Sequence, residues 1–181
     1  MRALPMNGIG AVLAPEAGNG LIIQRPLPGH PAERAGIQAG DKIVAIDDSE
    51  EMLALARTKW KGTSKIKFQN CSLENFSAGK GNFDLVVLNM VMHHMPSPAK
   101  AFQKLEKIVA DGGYLLIADL GLHNQEWARE SCGDVWLGFD PQDLNEWGKD
   151  AGFVEEQSSY LGLKNGFQIQ LKLFQKEKIN G

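Results

Sequence analysis

Two predicted strands end in residues that could bind a ligand. Asp47 closes the run IVAID (43–47), and Asn89 and Met90 close the run FDLVVLNM (83–90). In open α/β sheets ligands bind outside the carboxyl ends of the strands. We therefore predict a ligand-binding edge that includes Asp47, Asn89 and Met90. The alternative roles are structural, because Asp47 could cap the next helix and Asn89 could belong to a turn.

A histidine pair, His93 and His94, follows the second of these strands. Imidazoles are candidates for metal ligands or general bases. Adjacent residues rarely bind one ion without further ligands, and the sequence has no third ligand at a suitable spacing. We therefore predict no metal site and a structural role for at least one histidine. The remaining candidates for metal or redox chemistry, Cys71 and Cys132, form no Cys-x-x-Cys pair and are expected to be reduced thiols.

The composition of the chain excludes several classes of function. The 181 residues are 43% hydrophobic and 23% charged, with a net charge of −3, which is typical of a soluble globular domain. So small a charge does not favour nucleic acid or a membrane surface as a partner. We recognise no signal peptide, and no stretch approaches the roughly 20 apolar residues of a membrane span. The expected location is the cytoplasm.

Apolar runs that alternate with helical patterns indicate how this edge is built. Strands are predicted at 10–14, 20–26, 41–47, 64–70, 83–90 and 114–120. Helices are predicted at 30–36, after Ser49, from Pro98 to the pair Gly112-Gly113, and from Asp140 to Gly152. Met52, Leu55 and Ala56 fall on one face of the helix after Ser49. This order predicts an α/β fold with a mostly parallel sheet.

The C-terminal tail has a different pattern. In GFQIQLKL (166–173), apolar residues alternate with Gln168, Gln170 and Lys172. Strict alternation is typical of a strand with one buried and one solvated face. We therefore predict an antiparallel edge to the sheet, with these three polar side chains in solvent.

Five stretches of residues 43–181 resemble class I S-adenosylmethionine-dependent methyltransferases. They are IVAIDDSEEMLALAR, FDLVVLNMVMHHMPSPAKAF, GGYLLIADL, GDVWLGFDPQDLNEWGKDAGF and LGLKNGFQIQL. The resemblance is greatest to small-molecule enzymes related to ubiquinone biosynthesis and to versions fused to arsenic-repressor-type regulators. It implies a Rossmann-like fold, S-adenosylmethionine as cofactor and a small-molecule methyl acceptor.

The resemblance also assigns site residues. It places Asp47 at the ribose, and Ser49 and Met52 beside the ribose and adenine. Ser72 and Leu73 occupy the position where many relatives carry an acid for the adenine amino group. Asn89 and Met90 lie at the carboxyl edge. Because methyl transfer depends mainly on alignment of nucleophile, methyl and sulfur, no catalytic residue can be named from the sequence.

The front of the chain departs from this family. The family's glycine-rich turn, which lets backbone approach the methionine part of the cofactor, should fall at 23–29. The sequence there is IQRPLPG. Gly29 matches the last glycine, while Arg25 and Leu27 stand at glycine positions. We therefore expect low or absent cofactor affinity and weak or lost activity.

Residues 7–47 instead resemble the first half of a PDZ domain of the carboxyl-terminal processing protease type. The matching stretches are NGIGAVLA and PGHPAERAGIQAGDKIVAID. We predict a PDZ-like fragment at 1–47, merged with a truncated methyltransferase-like domain at 43–181. The fragment would supply the first strand (21–26) and first helix (31–36) of the sheet, in a chimeric or engineered chain.

Two alternative functions remain open. The chain could be an inactive folding unit, with a homodimer formed by exchange of a strand or of the N-terminal arm. It could also bind a peptide carboxyl terminus through the loop around Gly8–Gly10.

Overall fold

The computed structural model describes residues 4–6, 11–16, 20–26, 41, 43–59, 66–163 and 166–178. The chain divides into two compact units, residues 1–77 and residues 78–181. Gly29 and the predicted helix at 30–36 lie outside the described residues. None of the helices in the described ranges is long and apolar enough to cross a membrane.

The first unit contains two sheets. Strands β1 (Leu4–Met6), β2 (Ala11–Glu16) and β3 (Gly20–Pro26) form an antiparallel sheet in that order. Strands β4 (Ile43–Asp47) and β5 (Ile66–Asn70) pair in parallel. Among the described residues of this unit β3 pairs with β2 and β4 with β5. That β3 also serves as first strand of the parallel sheet stays a prediction.

Helix α1 (Glu50–Lys59) connects β4 to β5. It begins where predicted, because Ser49 Oγ accepts the backbone N–H of Met52 at 3.3 Å. The face shared by Met52, Leu55 and Ala56 is not the buried face of α1. Leu53 is its buried residue, whereas Met52 and Leu55 are 55% and 65% exposed.

The second unit is a four-stranded sheet with helices. Strands β6 (Phe83–Asn89), β7 (Val109–Leu120), β8 (Phe153–Gly162) and β9 (Gln168–Lys176) are ordered β6-β7-β9-β8. The β6–β7 pair is parallel, and β9 pairs antiparallel with β7 and β8. The helices are α2 (Pro98–Ile108), α3 (Trp127–Cys132), α4 (Pro141–Asp150) and a 3₁₀ helix at Met92–His94. The predicted α/β fold with an antiparallel edge is confirmed.

Local chemistry sets the helix ends in this unit. Asp140 Oδ1 accepts the N–H of Gln142 at 2.8 Å, and Pro141 occupies the first turn of α4, as predicted. The predicted end of α2 at Gly112-Gly113 was wrong, since the helix stops at Ile108 and β7 begins at once. Gly112, with a φ of 78°, instead lies in an irregularity of β7.

The prediction of a solvated face on β9 was wrong for two of its three polar residues. Gln170 is 0% and Lys172 1% exposed, whereas Gln168 is exposed as predicted. The face that carries Gln170 and Lys172 is covered by the segment at Phe139 and by α4, which contact the two side chains respectively. The donor groups have internal partners: Lys172 Nζ donates to Asn145 Oδ1 and Glu155 Oε2, and Gln170 Nε2 donates to backbone carbonyls. Gln170 Oε1 has no hydrogen-bond partner among the described residues. Burial is tolerated because these donors are satisfied.

Candidate functional site

Asp47 lies at the carboxyl end of β4, half-buried, opposite Asn70 of β5. Its Oδ1 accepts the backbone N–H of Ser49 at 2.8 Å, and its carbonyl accepts the N–H of Cys71 at 3.0 Å. The first bond orients the carboxylate, and the second fixes the loop after β5 beside it. Both the ribose and the capping interpretation of Asp47 agree with this position, since its carboxylate binds the residue just before α1.

The other predicted cofactor residues of the first unit surround this edge. Ser49 is half-buried and caps α1, and Met52 projects its side chain from the first turn. Ser72 is half-buried, and its Oγ accepts the N–H of Asn75 at 3.4 Å. Leu73 is 9% exposed, so it would contact a ligand through its backbone atoms and not through its side chain. The structure therefore gathers the predicted residues of this unit at the carboxyl ends of two parallel strands.

Asn89 and Met90 lie at the corresponding edge of the second unit. Asn89 ends β6 with an exposed side chain. Met90 N donates to Ala118 O of β7 at 2.7 Å and has a φ of 54°. Non-glycine residues rarely adopt this left-handed conformation, and such strain concentrates at functional sites.

The histidine pair lies immediately after this strained residue. His93 is buried, and its Nδ1 donates to Asp119 Oδ1 of β7 at 2.6 Å. Asp119 is fully buried and also accepts the N–H groups of Met92 and Leu120, each at 2.8 Å. The carboxylate thereby fixes both the 3₁₀ helix and the orientation of the His93 ring, as predicted for a structural histidine.

The other ring nitrogen of His93 faces a second carboxylate. Its Nε2 lies 3.7 Å from Asp134 Oδ1, in the loop after α3. His94 Nδ1 lies 3.9 Å from the same oxygen. Burial alone would lower the pKa of His93, but the hydrogen bond to Asp119 and the charges of Asp119 and Asp134 outweigh it, so the pKa of His93 is raised.

Sequence analysis missed Asp119 and Asp134. Asp119 is the second-to-last residue of the strand predicted at 114–120, so the rule that identified Asp47 and Asn89 at strand ends could have included it. Asp134 lies in the loop after α3. The conformation of this loop could not be predicted, because an irregular loop has no periodic sequence pattern. Only the fold brings its carboxylate to the two histidines.

The glycine-poor segment is described in part. Arg25 lies in β3 opposite Val12, within an antiparallel pair rather than in a turn. Gly29 lies outside the described residues.

Comparisons with known proteins identify the family. Residues 27–117 match the family model described as methyltransferase domain. The match begins inside the segment with PDZ resemblance. The ubiquinone biosynthesis O-methyltransferase of Aromatoleum aromaticum is 30% identical over 84 residues, which are 45% of this chain and 36% of that protein. The demethylmenaquinone methyltransferase of Clavibacter sepedonicus is 25% identical over 81 residues, 45% of this chain and 33% of that protein.

A further relative is a protease. The carboxy-terminal processing protease CtpA of Bacillus subtilis is 40% identical over 87 residues, 44% of this chain and 17% of that protein. The chain spans about a third of the length of the methyltransferase relatives and less of the protease.

Solved structures share the fold at low identity. The N-methyltransferase NodS of Bradyrhizobium japonicum, bound to S-adenosylhomocysteine, has a TM-score of 0.61 at 19% identity, covering 75% of this chain and 66% of that chain. The [4+2]-cyclase SpnF has a TM-score of 0.64 at 13% identity, covering 83% and 72%. The same fold therefore occurs in proteins named for different chemistry. The family model, which covers half of the sequence, shows that the chain belongs to the methyltransferase domain family.

Proposed function

We propose that the chain binds S-adenosylmethionine at the carboxyl end of β4 and transfers its methyl group to a small molecule. Family membership and relatives named as methyltransferases support the cofactor. The observation that carries the proposal is the position of the Asp47 carboxylate, half-buried at the end of a parallel strand.

The hydrogen bonds of Asp47 suit a ribose ligand. One carboxylate oxygen, Oδ1, is held by the N–H of Ser49. None of the described residues donates a hydrogen bond to Oδ2. A carboxylate oriented in this way can accept both hydroxyls of a vicinal diol. Ser49 and Ser72, half-buried beside it, offer further polar groups to the nucleoside.

Cofactor affinity is expected to be weaker than a glycine-rich turn would give. Arg25 stands where the family has glycine, and its backbone belongs to the β2–β3 pair rather than to a turn that could approach the cofactor. Leu27 adds bulk at the second glycine position. Both features act on the methionine part of the cofactor and leave the ribose contact to Asp47 intact.

The chemistry proposed is a single displacement. A nucleophilic atom of the acceptor attacks the methyl carbon, and the carbon–sulfur bond breaks as the sulfur takes its electron pair, leaving S-adenosylhomocysteine. The protein's contribution is to hold nucleophile, methyl and sulfur in line and to exclude water. The acceptor is proposed to be a small molecule because the methyltransferase relatives are named for small-molecule substrates.

The test is a calorimetric titration with S-adenosylhomocysteine. We expect the unmodified chain to bind and Asp47→Ala to lose binding. Asp48→Ala is the matched control, because Asp48 is the exposed neighbour in the same loop and should leave affinity unchanged. Equal affinities of the two variants would contradict the role of Asp47. The absence of binding to the unmodified chain, in a sample that melts cooperatively, would contradict the function.

Peptide binding is the second candidate. It is favoured by the 40% identity to a stretch of the CtpA protease. Titration with a peptide that ends in a free hydrophobic carboxyl terminus separates the two functions, because peptide binding should be insensitive to Asp47→Ala.

A further inference from the structure

Three side chains of the second unit present donor atoms to one point. His93 and His94 lie in the 3₁₀ helix, and Asp134 lies in the loop after α3. One ring nitrogen from each histidine and one oxygen of Asp134 all lie within 4.8 Å of one another. Two imidazoles and a carboxylate are a ligand set for divalent transition metals.

The separations suit a shared ion better than hydrogen bonds. Asp134 Oδ1 is 3.7 Å from His93 Nε2 and 3.9 Å from His94 Nδ1. Both distances exceed those of an N–H···O hydrogen bond. Tetrahedral zinc, with bonds of about 2.1 Å, keeps its ligand atoms about 3.4 Å apart. Asp134 Oδ1 would therefore have to approach the two nitrogens by about 0.3 and 0.5 Å. The two nitrogens, which lie within 4.8 Å of each other, would have to close to the same spacing.

The surroundings hold these ligands in place. Asp119 accepts from His93 Nδ1 at 2.6 Å, so the nitrogen left for an ion is Nε2, which faces Asp134. A carboxylate behind a ligating histidine is a common support of metal sites. The N–H groups of Val135 and Trp136 both donate to His93 O, at 3.0 and 2.9 Å, which ties the Asp134 loop to the 3₁₀ helix.

The site is closed on one side and open on the other. The side chains of His93 and Asp134 are 5% and 4% exposed, whereas that of His94 is 43% exposed. An ion can therefore enter beside His94 and retain a position for water or another ligand. His94 Nδ1 also lies 3.2 Å from the Gly133 carbonyl, and an ion bound to that nitrogen would replace this contact.

We propose that His93, His94 and Asp134 bind one divalent transition metal ion, with Zn²⁺ as the best fit. The ion would link the 3₁₀ helix after β6 to the loop after α3. All three ligands belong to the second unit, so the proposal does not depend on cofactor binding at Asp47.

The test is a titration of the full chain, free of affinity tags and stripped of metal, with Zn²⁺ and with Co²⁺. We expect one ion per chain with a dissociation constant of about micromolar or tighter. Co²⁺ should give the visible absorption of a site with nitrogen and oxygen ligands. Zn²⁺ should also raise the melting temperature, since it binds the folded state.

Variants identify the ligands. Loss of a residue that supports a metal ligand typically weakens metal binding ~10–100-fold. His94→Ala removes a proposed ligand itself and should weaken binding by more than this. Since His94 is half-exposed, this variant should fold. His123→Ala, which removes a histidine outside the cluster, is the matched control and should bind as the unmodified chain does. Asp134→Asn should weaken binding as His94→Ala does. Equal affinity of the His94 and His123 variants, or no binding by the unmodified chain, would overturn the proposal.

Discussion

Met90 is a single residue whose backbone conformation can be tested directly. With a φ of 54°, it occupies a region that costs an L-residue about 1–2 kcal/mol relative to glycine. Both Met90→Gly and Met90→Ala remove the same side-chain contacts. We therefore expect the glycine variant to be more stable than the alanine variant by about 1 kcal/mol, measured by urea denaturation.

The same pair of substitutions at Gln103 provides the control. Gln103 is exposed within α2, where alanine should be more stable than glycine by about 1 kcal/mol. The order of the two variants should thus reverse between the sites. If alanine is favoured at both, the left-handed conformation of Met90 is not present in solution.

At the residue scale, the sequence was sufficient to predict site residues at strand ends. It was not sufficient to predict contacts between residues that are distant in sequence. Asp47 and Ser49 were predictable because a strand end and a helix cap have local signatures. The contacts of His93 with Asp119 and of His94 with Asp134 join residues far apart in sequence. No local sequence pattern predicts such long-range contacts.

At the scale of elements, an internal ion pair links β9 to β8. Lys172 Nζ lies 2.9 Å from Glu155 Oε2, and the lysine side chain is 2% exposed. Burial raises the pKa of Glu155, but the hydrogen bond and positive charge of Lys172 outweigh it, so that pKa lies below the ordinary 4.5. The ionised carboxylate therefore stabilises the fold above about pH 4.5, and this stability is lost as the pH falls through the lowered pKa.

Glu155→Gln tests this pair. We expect a loss of about 3 kcal/mol at pH 7, the low end for a buried pair, because a quarter of the Glu155 side chain is exposed. The loss should shrink as the pH falls through the lowered pKa of Glu155 and the native carboxylate is protonated. Denaturation at a series of pH values measures both effects. Glu146→Gln, at an exposed position of α4, should show neither, and a similar pH profile for both variants would contradict the assignment.

The errors in the predicted elements have physical causes. The segment at Phe139 and helix α4 cover Gln170 and Lys172, which the alternating pattern placed in solvent. Gly112 was predicted to end the helix because glycine readily adopts a positive φ. It does have a positive φ, but it lies in an irregularity of β7. Periodicity indicates which faces of a strand differ, but the elements packed on the sheet decide which faces are covered.

At the scale of the molecule, the second unit should fold alone. Residues 78–181 contain a four-stranded sheet, and most buried hydrophobic side chains of the described residues belong to it. We expect the fragment 78–181 to unfold in one cooperative transition, measured by circular dichroism. It should bind Zn²⁺ as the full chain does, since all three proposed ligands are present.

The unfolding of fragment 1–77, measured in the same way, is the comparison for that of fragment 78–181. A fragment 78–181 without a cooperative transition would show that the two units depend on each other for stability. The sequence predicted the fold class but not this partition, because no change in composition marks residue 77. The predicted PDZ-like fragment at 1–47 and the chimeric origin stay predictions.

The hydrogen bonds of Asp119 have a consequence for the segment that follows β6. Met92 lies in a 3₁₀ turn between a strand and a helix, where amide protons usually exchange quickly with deuterium. Its N–H, however, donates to a carboxylate that is fully buried and also anchors His93 and Leu120. The Met92 amide should therefore exchange only when β7 itself opens, at the rate of the slowest amides in the sheet. This turn would then belong to the last part of the second unit to unfold.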